Sequence, residues 1–302
     1  MLSSNIKFDE PLAKYTTFGI GGPARCMVYP DNRNELSTLL KYAHVNKIPA
    51  IFIGSGSNLL VWDEGFNGFV ISLRKTFNKL TISPNSSIIV QSGVMLGTMV
   101  KEAIQKQICG LESLVGVPGT VGGALIMNAG AFGGEISTYF VKAKTMTLEG
   151  KIKTYFKQDV QFFYRYSTFP IDEILIEATL KCKKGNPDEI LKDRKIASQE
   201  RKSTQPLKFR SAGSIFKNPS KKLAAGYLID QTGLKGTSHG GASISEKHAN
   251  FIVNMGGATA ADVFYLIKLA KQKVAAKFNI NLKLEVKLIG FPKNMTQDIG
   301  YA

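Results

Sequence analysis

Residues 116–135 read GVPGTVGGALIMNAGAFGGE. Bulky polar side chains are almost absent, so the run can hardly be a solvated loop. It suits a buried backbone that lies against a large flat ligand, with glycine wherever the chain turns sharply or must approach something closely. The chain carries 29 glycines in 302 residues, above the usual fraction of about 7%. They bunch at Gly19 to Gly22, Gly54 to Gly56, Gly116 to Gly134 and Gly233 to Gly241.

The other glycine clusters sharpen this reading. Gly19-Ile-Gly21-Gly-Pro-Ala24 has the letters of a dinucleotide fingerprint, but Pro23 and the lack of a preceding strand spoil it. No GxxxxGK[ST] motif exists, which excludes a P-loop. Residues 53–61, IGSGSNLLV, are a stronger candidate: a strand feeds a turn of small and polar residues and leaves as a second strand. Successive backbone N–H groups with Ser and Asn side chains make a nest suited to pyrophosphate, though composition leaves a plain glycine hairpin open. Together the two tracts suggest a dinucleotide held by main chain, without a Rossmann helix.

The sequence around them alternates helix and strand. Residues 33–47 place Leu36, Leu39, Leu40 and Ala43 at helical spacing. Short apolar runs at 49–53 and 59–62 predict strands, as do 87–91, 141–148 and 173–181. A helix is expected over 97–107, and another begins at Asn186-Pro187 with Glu189 three after the cap. Beyond the polar, proline-containing stretch 203–208, a helix is expected at 223–230 and a strand at 250–254. The clearest helix spans 259–277, with Thr259 and Asp262 as a capping box. A last, strictly alternating strand is expected over 282–288, LKLEVKL.

Composition bounds the function. Hydrophobic residues at 44% and charged residues at 21% exclude a disordered chain. No run approaches the length of a membrane span, and the N-terminus has no secretory pattern. Cys26, Cys109 and Cys182 are far apart with no CxxC pair, which argues against a disulfide framework or zinc site. A cytoplasmic protein is expected. The net charge of +16 comes from 39 basic and 23 acidic residues. The arginines are scattered, and the densest basic stretch, Lys192 to Lys208, reads as a solvated helix face. Anionic small molecules are therefore expected as partners rather than nucleic acid.

IGSGSNLLV, VPGTVGGALIMNAGAFGGE, FFYRYS and SAGSIFKNP, in that order, resemble the UDP-N-acetylenolpyruvoylglucosamine reductase family of bacterial cell-wall synthesis, in its shorter subtype. The resemblance runs from about Phe18 to Leu288. Phe132 departs from it, since family members usually carry tyrosine there. The resemblance implies an α+β chain: a two-subdomain FAD-binding fold of the vanillyl-alcohol oxidase type (1–75 and 76–203) and a C-terminal substrate-binding domain (204–302). It also implies non-covalent FAD, NADPH as hydride donor, and UDP-N-acetylglucosamine enolpyruvate as substrate, in a monomer. The flavin nucleotide would rest on Gly54, Ser55, Gly56, Ser57, Asn58 and Leu59, and on Gly119, Thr120, Gly122, Gly123, Asn128 and Gly130.

Three matched positions would be catalytic, and each has a plainer alternative. Arg165, among aromatics, would clamp the substrate carboxylate; otherwise it is a surface arginine after a short helix. Glu285 would help stabilise the enol intermediate; flanked by Lys283 and Lys287, it also reads as part of an exposed ladder. Ser214 would give the proton to C2, or else is a turn serine. Tyr164, Lys217 and Asn218 match substrate-binding positions. His44, His239 and His248 have no metal-ligand spacing, and no metal is expected. The rival activity is an FAD-dependent oxidase of the same fold acting on a sugar or hydroxy acid. Residues 116–135 contain neither His nor Cys to tether a flavin.

Overall fold

The computed structural model describes residues 5–300 and gathers the chain into two compact units. Cys26–Ser55 and Gly68–Arg201, with the described residues up to Phe8, make the first. Asp9–Arg25, Gly56–Asn67 and the chain from Lys202 onward make the second.

Two sheets organise the first unit. One has the strand order Asn5–Pro11, Pro23–Tyr29, Phe66–Ile71, Ala50–Phe52, the last two running parallel. Helix α1 (Arg33–Val45) buries Leu36, Leu39, Leu40 and Ala43, the stripe expected from the spacing, beside Val28, Ile71 and Leu73. Its cap is Asn32, whose side chain accepts from the N–H groups of Asn34 and Glu35. The second sheet is antiparallel, in the order Ile152–Phe156, Phe140–Thr147, Glu173–Lys181, Ser87–Gln91, Leu80–Ile82. Helices α2 (Leu96–Gln105) and α3 (Val121–Ile126) share its core through Leu96, Met99, Val100, Val121 and Leu125. Helix α4 (Pro187–Thr204) starts where Asn186 and Pro187 place it, with Asn186 Oδ1 accepting from Asp188 N–H at 2.9 Å.

The second unit is built around α6 (Ala260–Phe278), which buries Val263, Ile267, Ala270 and Val274 as its spacing predicts. These pack with α5 (Ala225–Asp230), Phe18, Leu60, Phe216, Leu282 and Val286. A three-stranded antiparallel sheet (Ser238–His239, Ala242–Ile244, Ile252–Asn254) and a parallel pair (Leu59–Val61 with Lys287–Ile289) complete it. The alternating strand expected over 282–288 is thus reduced to its last residues. Ile215 O accepts from Glu285 N–H at 2.8 Å and also faces Val286 N–H at 3.3 Å. One carbonyl serving two successive donors breaks the two-residue alternation, as a β-bulge does.

The capping box of α6 is present, with Thr259 Oγ1 and Asp262 exchanging bonds. It is supplemented by Asp63, whose carboxylate accepts from Ala260 N–H at 2.7 Å and Ala261 N–H at 3.0 Å. A carboxylate there meets both the orphan donors and the positive end of the helix dipole. Asp63→Ala is expected to lower the unfolding free energy by about 1 kcal/mol. A urea titration would show this as a lower midpoint at unchanged slope. An unmoved midpoint would mean that Thr259 suffices alone.

Candidate active site

In the first unit the glycine tract is held by main-chain bonds to the segment before α2. Val121 N–H donates to Val94 O at 2.8 Å, Gly122 N–H to Ser92 O at 3.0 Å, and Leu96 N–H to Gly119 O at 2.9 Å. A β-carbon on Gly54 would lie 2.6 Å from Thr120 Oγ1, one on Gly122 2.8 Å from Ser92 Cβ, and one on Gly130 2.7 Å from Gly134 O. These glycines are required by close approach of protein to protein. Gly123 differs. It is exposed, and an added β-carbon would meet only Thr120 Oγ1, at an ordinary 3.7 Å. The tract is also not one continuous loop: Thr120 caps α3, which turns Val121, Ala124 and Leu125 inward and leaves Gly123 and Ile126 exposed.

Around this tract lie buried polar atoms without a protein partner: Ser55 Oγ, Ser92 Oγ, Ser113 Oγ, Glu112 Oε1 and Asn128 Oδ1. Leaving such a group unpaired costs about 1–3 kcal/mol, so a cluster of them marks where a polar ligand or water belongs. With the open face at Gly123, this set fits a flavin nucleotide, for which hydroxyl and amide oxygens are suitable neighbours. Ser92 and Ser113 were not among the expected contacts. Both serines lie outside the two glycine tracts, and neither stands in a motif that would single it out.

Asn128 links the tract to Arg165. It is fully buried with φ of 42°, and its Nδ2 donates to Glu135 Oε2 at 2.9 Å and to Phe163 O at 3.0 Å. Phe163 pairs with Tyr166, so Tyr164 and Arg165 form the tip of a two-residue hairpin, not the end of a helix. Arg165 takes a φ of 57°, a left-handed conformation costing about 1–2 kcal/mol for a side chain of this kind. Its guanidinium lies 5.0 Å from the centroid of the exposed Tyr164 ring. Ser167 Oγ, donating to Ile126 O at 2.8 Å, fixes the hairpin's other arm to α3.

Arg201 is the residue that the charge reading missed. Lys192 to Lys208 was expected to be a solvated face, yet Arg201 is 8% exposed. Its Nε donates to Val115 O at 3.3 Å, and its guanidinium stands 5.6 Å from the Phe132 ring. Burial, with the charge of Arg165 added, holds its pKa below the usual arginine value. Ile190, Ala197 and Arg201 are the buried positions of α4, and their helical spacing was the available signal.

The second unit brings Ser214 and Glu285 onto paired backbone segments. Ser214 forms a β-bridge with Phe251, Phe216 one with Leu284, and Lys217 N–H donates to Lys283 O at 2.9 Å. Both Ser214 and Glu285 are half-buried, whereas Lys283 and Lys287 are exposed, so Glu285 is not part of a solvated ladder. Asn58 Nδ2 donates to Glu285 O at 3.0 Å, and Leu59 pairs with Lys287. Asn58 and Leu59 thus brace the glutamate's backbone. Gly56, at φ 65°, gives up its β-carbon position to the Tyr15 carbonyl. Ser57 is half-buried beside it in the chain. Lys217 is half-buried; Asn218 is exposed, and its Oδ1 accepts from Ala225 N–H at 3.0 Å at the start of α5. Arg165 and Tyr164 belong to the first unit, and Ser214, Lys217, Asn218 and Glu285 to the second. Among the described residues no cluster of His, Cys, Asp and Glu could hold a metal ion.

Comparison with known proteins finds matches over most of the chain. Residues 24–155 match the family model of an FAD binding domain, and residues 205–289 that of the C-terminal domain of UDP-N-acetylenolpyruvoylglucosamine reductase. The UDP-N-acetylenolpyruvoylglucosamine reductase of Carboxydothermus hydrogenoformans is 40% identical over 290 residues, 96% of this chain and 95% of that protein. That of Clostridioides difficile is 41% identical over 287 residues, covering 95% and 94%. The crystal structure of the Thermus caldophilus enzyme aligns with a TM-score of 0.81 at 36% identity, over 96% of this chain and 100% of that one. The expected architecture, an FAD-binding fold followed by the reductase C-terminal domain, is therefore the one present. With similarity of this extent across both parts, the chain belongs to the UDP-N-acetylenolpyruvoylglucosamine reductase family.

Proposed function

We propose that this protein reduces UDP-N-acetylglucosamine enolpyruvate to UDP-N-acetylmuramate, with NADPH as reductant, in cytoplasmic peptidoglycan precursor synthesis. The observation that carries this is the pairing of full-length family similarity with unpartnered buried oxygens around the glycine tract. When bound, FAD supplies the hydride chemistry, receiving from NADPH and giving to C3 of the enolpyruvyl ether. Ser55, Ser92, Thr120, Gly122, Gly123 and Asn128 would hold it without a covalent tether. Residues 1–75 and 76–203 would serve as its two subdomains, and 204–302 as the substrate domain.

The side chains then have separate tasks. Arg165, presented at a strained hairpin tip, would grip the substrate carboxylate through its planar fork and favour the charge that develops there. Glu285 would help stabilise the enol intermediate. Ser214 Oγ would keep a proton for C2 and recover one from solvent after giving it up. Lys217 would offset charge on the diphosphate, with Tyr164 and Asn218 as further substrate contacts. No helix among the described residues is long and apolar enough to cross a membrane, in keeping with a nucleotide substrate. A monomer suffices for this scheme.

Three outcomes test it. Gly123→Val should melt like the parent yet purify without flavin absorbance, because its side chain enters open space wanted by the cofactor. Gly56→Val should instead lose the fold, since its side chain meets the Tyr15 carbonyl. Full FAD content in Gly123→Val would remove that face of α3 as the flavin site. Arg165→Lys should leave anaerobic reduction by NADPH near normal and slow reoxidation by the enolpyruvyl nucleotide, because a point charge cannot replace the fork; equal slowing of both steps would indicate a structural arginine. Ser214→Ala should stay yellow, accept reduction normally and lose at least about 10² in turnover, with Ser214→Cys recovering part of it. Turnover within a few-fold of the parent would leave Ser214 as a turn residue.

A further inference from the structure

We infer that Asn250 is a positioning residue for the proton-transfer step, acting by fixing the backbone that carries Ser214. This rests on the reading of Ser214 as proton donor. Asn250 is 3% exposed, and its carboxamide grips both the N–H and the C=O of one residue. Phe216 N–H donates to Asn250 Oδ1 at 2.9 Å, and Asn250 Nδ2 donates to Phe216 O at 2.8 Å. The main chain of Asn250 takes the preceding residue, accepting from Ile215 N–H at 2.9 Å.

No regular strand runs through 211–220, so no ladder holds this segment. It is held peptide by peptide, with Asn250 and Phe251 contributing from one direction and Lys283 to Glu285 from the other. A carboxamide presents the same donor and acceptor as a peptide group, and Asn250 stands where a neighbouring strand's backbone would be. On the other side of Ser214, Ala212 is buried in the core and Ser211 O accepts from Thr17 Oγ1 at 2.7 Å, with Gly213 as the joint between. Gly213 has φ of 75°, and the space where its side chain would be holds no atom within 4 Å. Ser214 is thus held from both sides of a glycine joint, and on its C-terminal side, at Ile215 and Phe216, the bonds are those of Asn250. Asn250 is itself anchored, its N–H donating to His248 Nδ1 at 3.2 Å.

A hydroxyl must lie within hydrogen-bond reach of the carbon it protonates, and a displacement of about 1 Å can cost on the order of 10² in rate. Hydride uptake from NADPH places no such demand on Ser214. The test uses full-length holoenzyme carrying Asn250→Ala, and Asn250→Asp, which keeps the shape and the acceptor for Phe216 N–H but removes the donor to Phe216 O. Both should retain FAD and be reduced by NADPH within about two-fold of the parent, with reoxidation by the enolpyruvyl nucleotide slowed about 10- to 100-fold. The KM for that nucleotide should move little, and the solvent deuterium isotope effect on reoxidation should rise as proton transfer becomes limiting.

The decisive measurement is the double variant. If Asn250 works through Ser214, Asn250→Ala should add no further slowing to Ser214→Ala. Additive losses, equal slowing of both half-reactions, or loss of FAD or fold in both Asn250 variants would overturn the inference and leave Asn250 a stabilising core group. Parental reoxidation in the Asn250 variants beside a slow Ser214→Ala would overturn it too, while sparing the serine's role. A fast Ser214→Ala would overturn the reading of the serine itself.

Discussion

Three stretches of chain in the first unit, 53–55, 92–94 and 119–122, meet with too little room between them for a β-carbon. The arrangement of the glycine tract follows from this closeness. Peptide groups bond directly, Thr120 comes to lie at the head of α3, and Asn128 emerges just beyond its far end, bonded to the hairpin that presents Arg165. Main chain packed this tightly moves little, so the unpaired oxygens of Ser55, Ser92 and Asn128 stand in fixed places. Fixed dipoles need no rearrangement when a charge develops near them, which is where much of an enzyme's electrostatic advantage lies.

The second unit solves a related problem with other means. Its core, centred on α6, is apolar and regular, but the segment bearing Ser214 is an irregular thread bonded to two others that are also irregular. Side chains take over work that a sheet would do with its backbone: Asn250 for Phe216, Asn58 for Glu285, Asp63 for the start of α6. Lysines contribute in the same way. Lys181, Lys184, Lys247 and Lys277 each donate to a main-chain carbonyl, at 2.6, 2.5, 2.6 and 2.5 Å. Part of the chain's basic excess therefore serves to close loops and helix ends.

The helices were legible by different signals: α1 by its apolar spacing, α4 by the Asn186-Pro187 start, and α6 by spacing and cap together. Three of the five strands of the antiparallel sheet, near 87–91, 141–148 and 173–181, were legible as apolar runs, whereas Leu80–Ile82 and Ile152–Phe156 were not. Helix α3 was not: glycine in a helix interior costs about 1 kcal/mol relative to alanine, so Gly122 and Gly123 argued for a loop until contacts with Ser92 and Val94 overrode propensity. The 282–288 run misled for the opposite reason, since its letters alternate while its backbone serves Ile215. Arg165, Ser214 and Glu285 were singled out by resemblance alone. Their distinguishing physical marks are a positive φ and partial burial, neither of which a string of letters displays.

The interleaving of the two units has a consequence for how the chain is made. Phe18, Ile20 and Leu60 leave the ribosome early, yet the core they enter also needs Phe216, α6, Leu282 and Leu288, which come near the end. At roughly 5–20 residues per second, the interval between Leu60 and Leu288 is about 10–50 s. Through that time the early segments remain apolar surface without a home. This protein's folding is therefore tied to the completion of its synthesis, and a nascent chain stalled short of α6 is the form most exposed to aggregation.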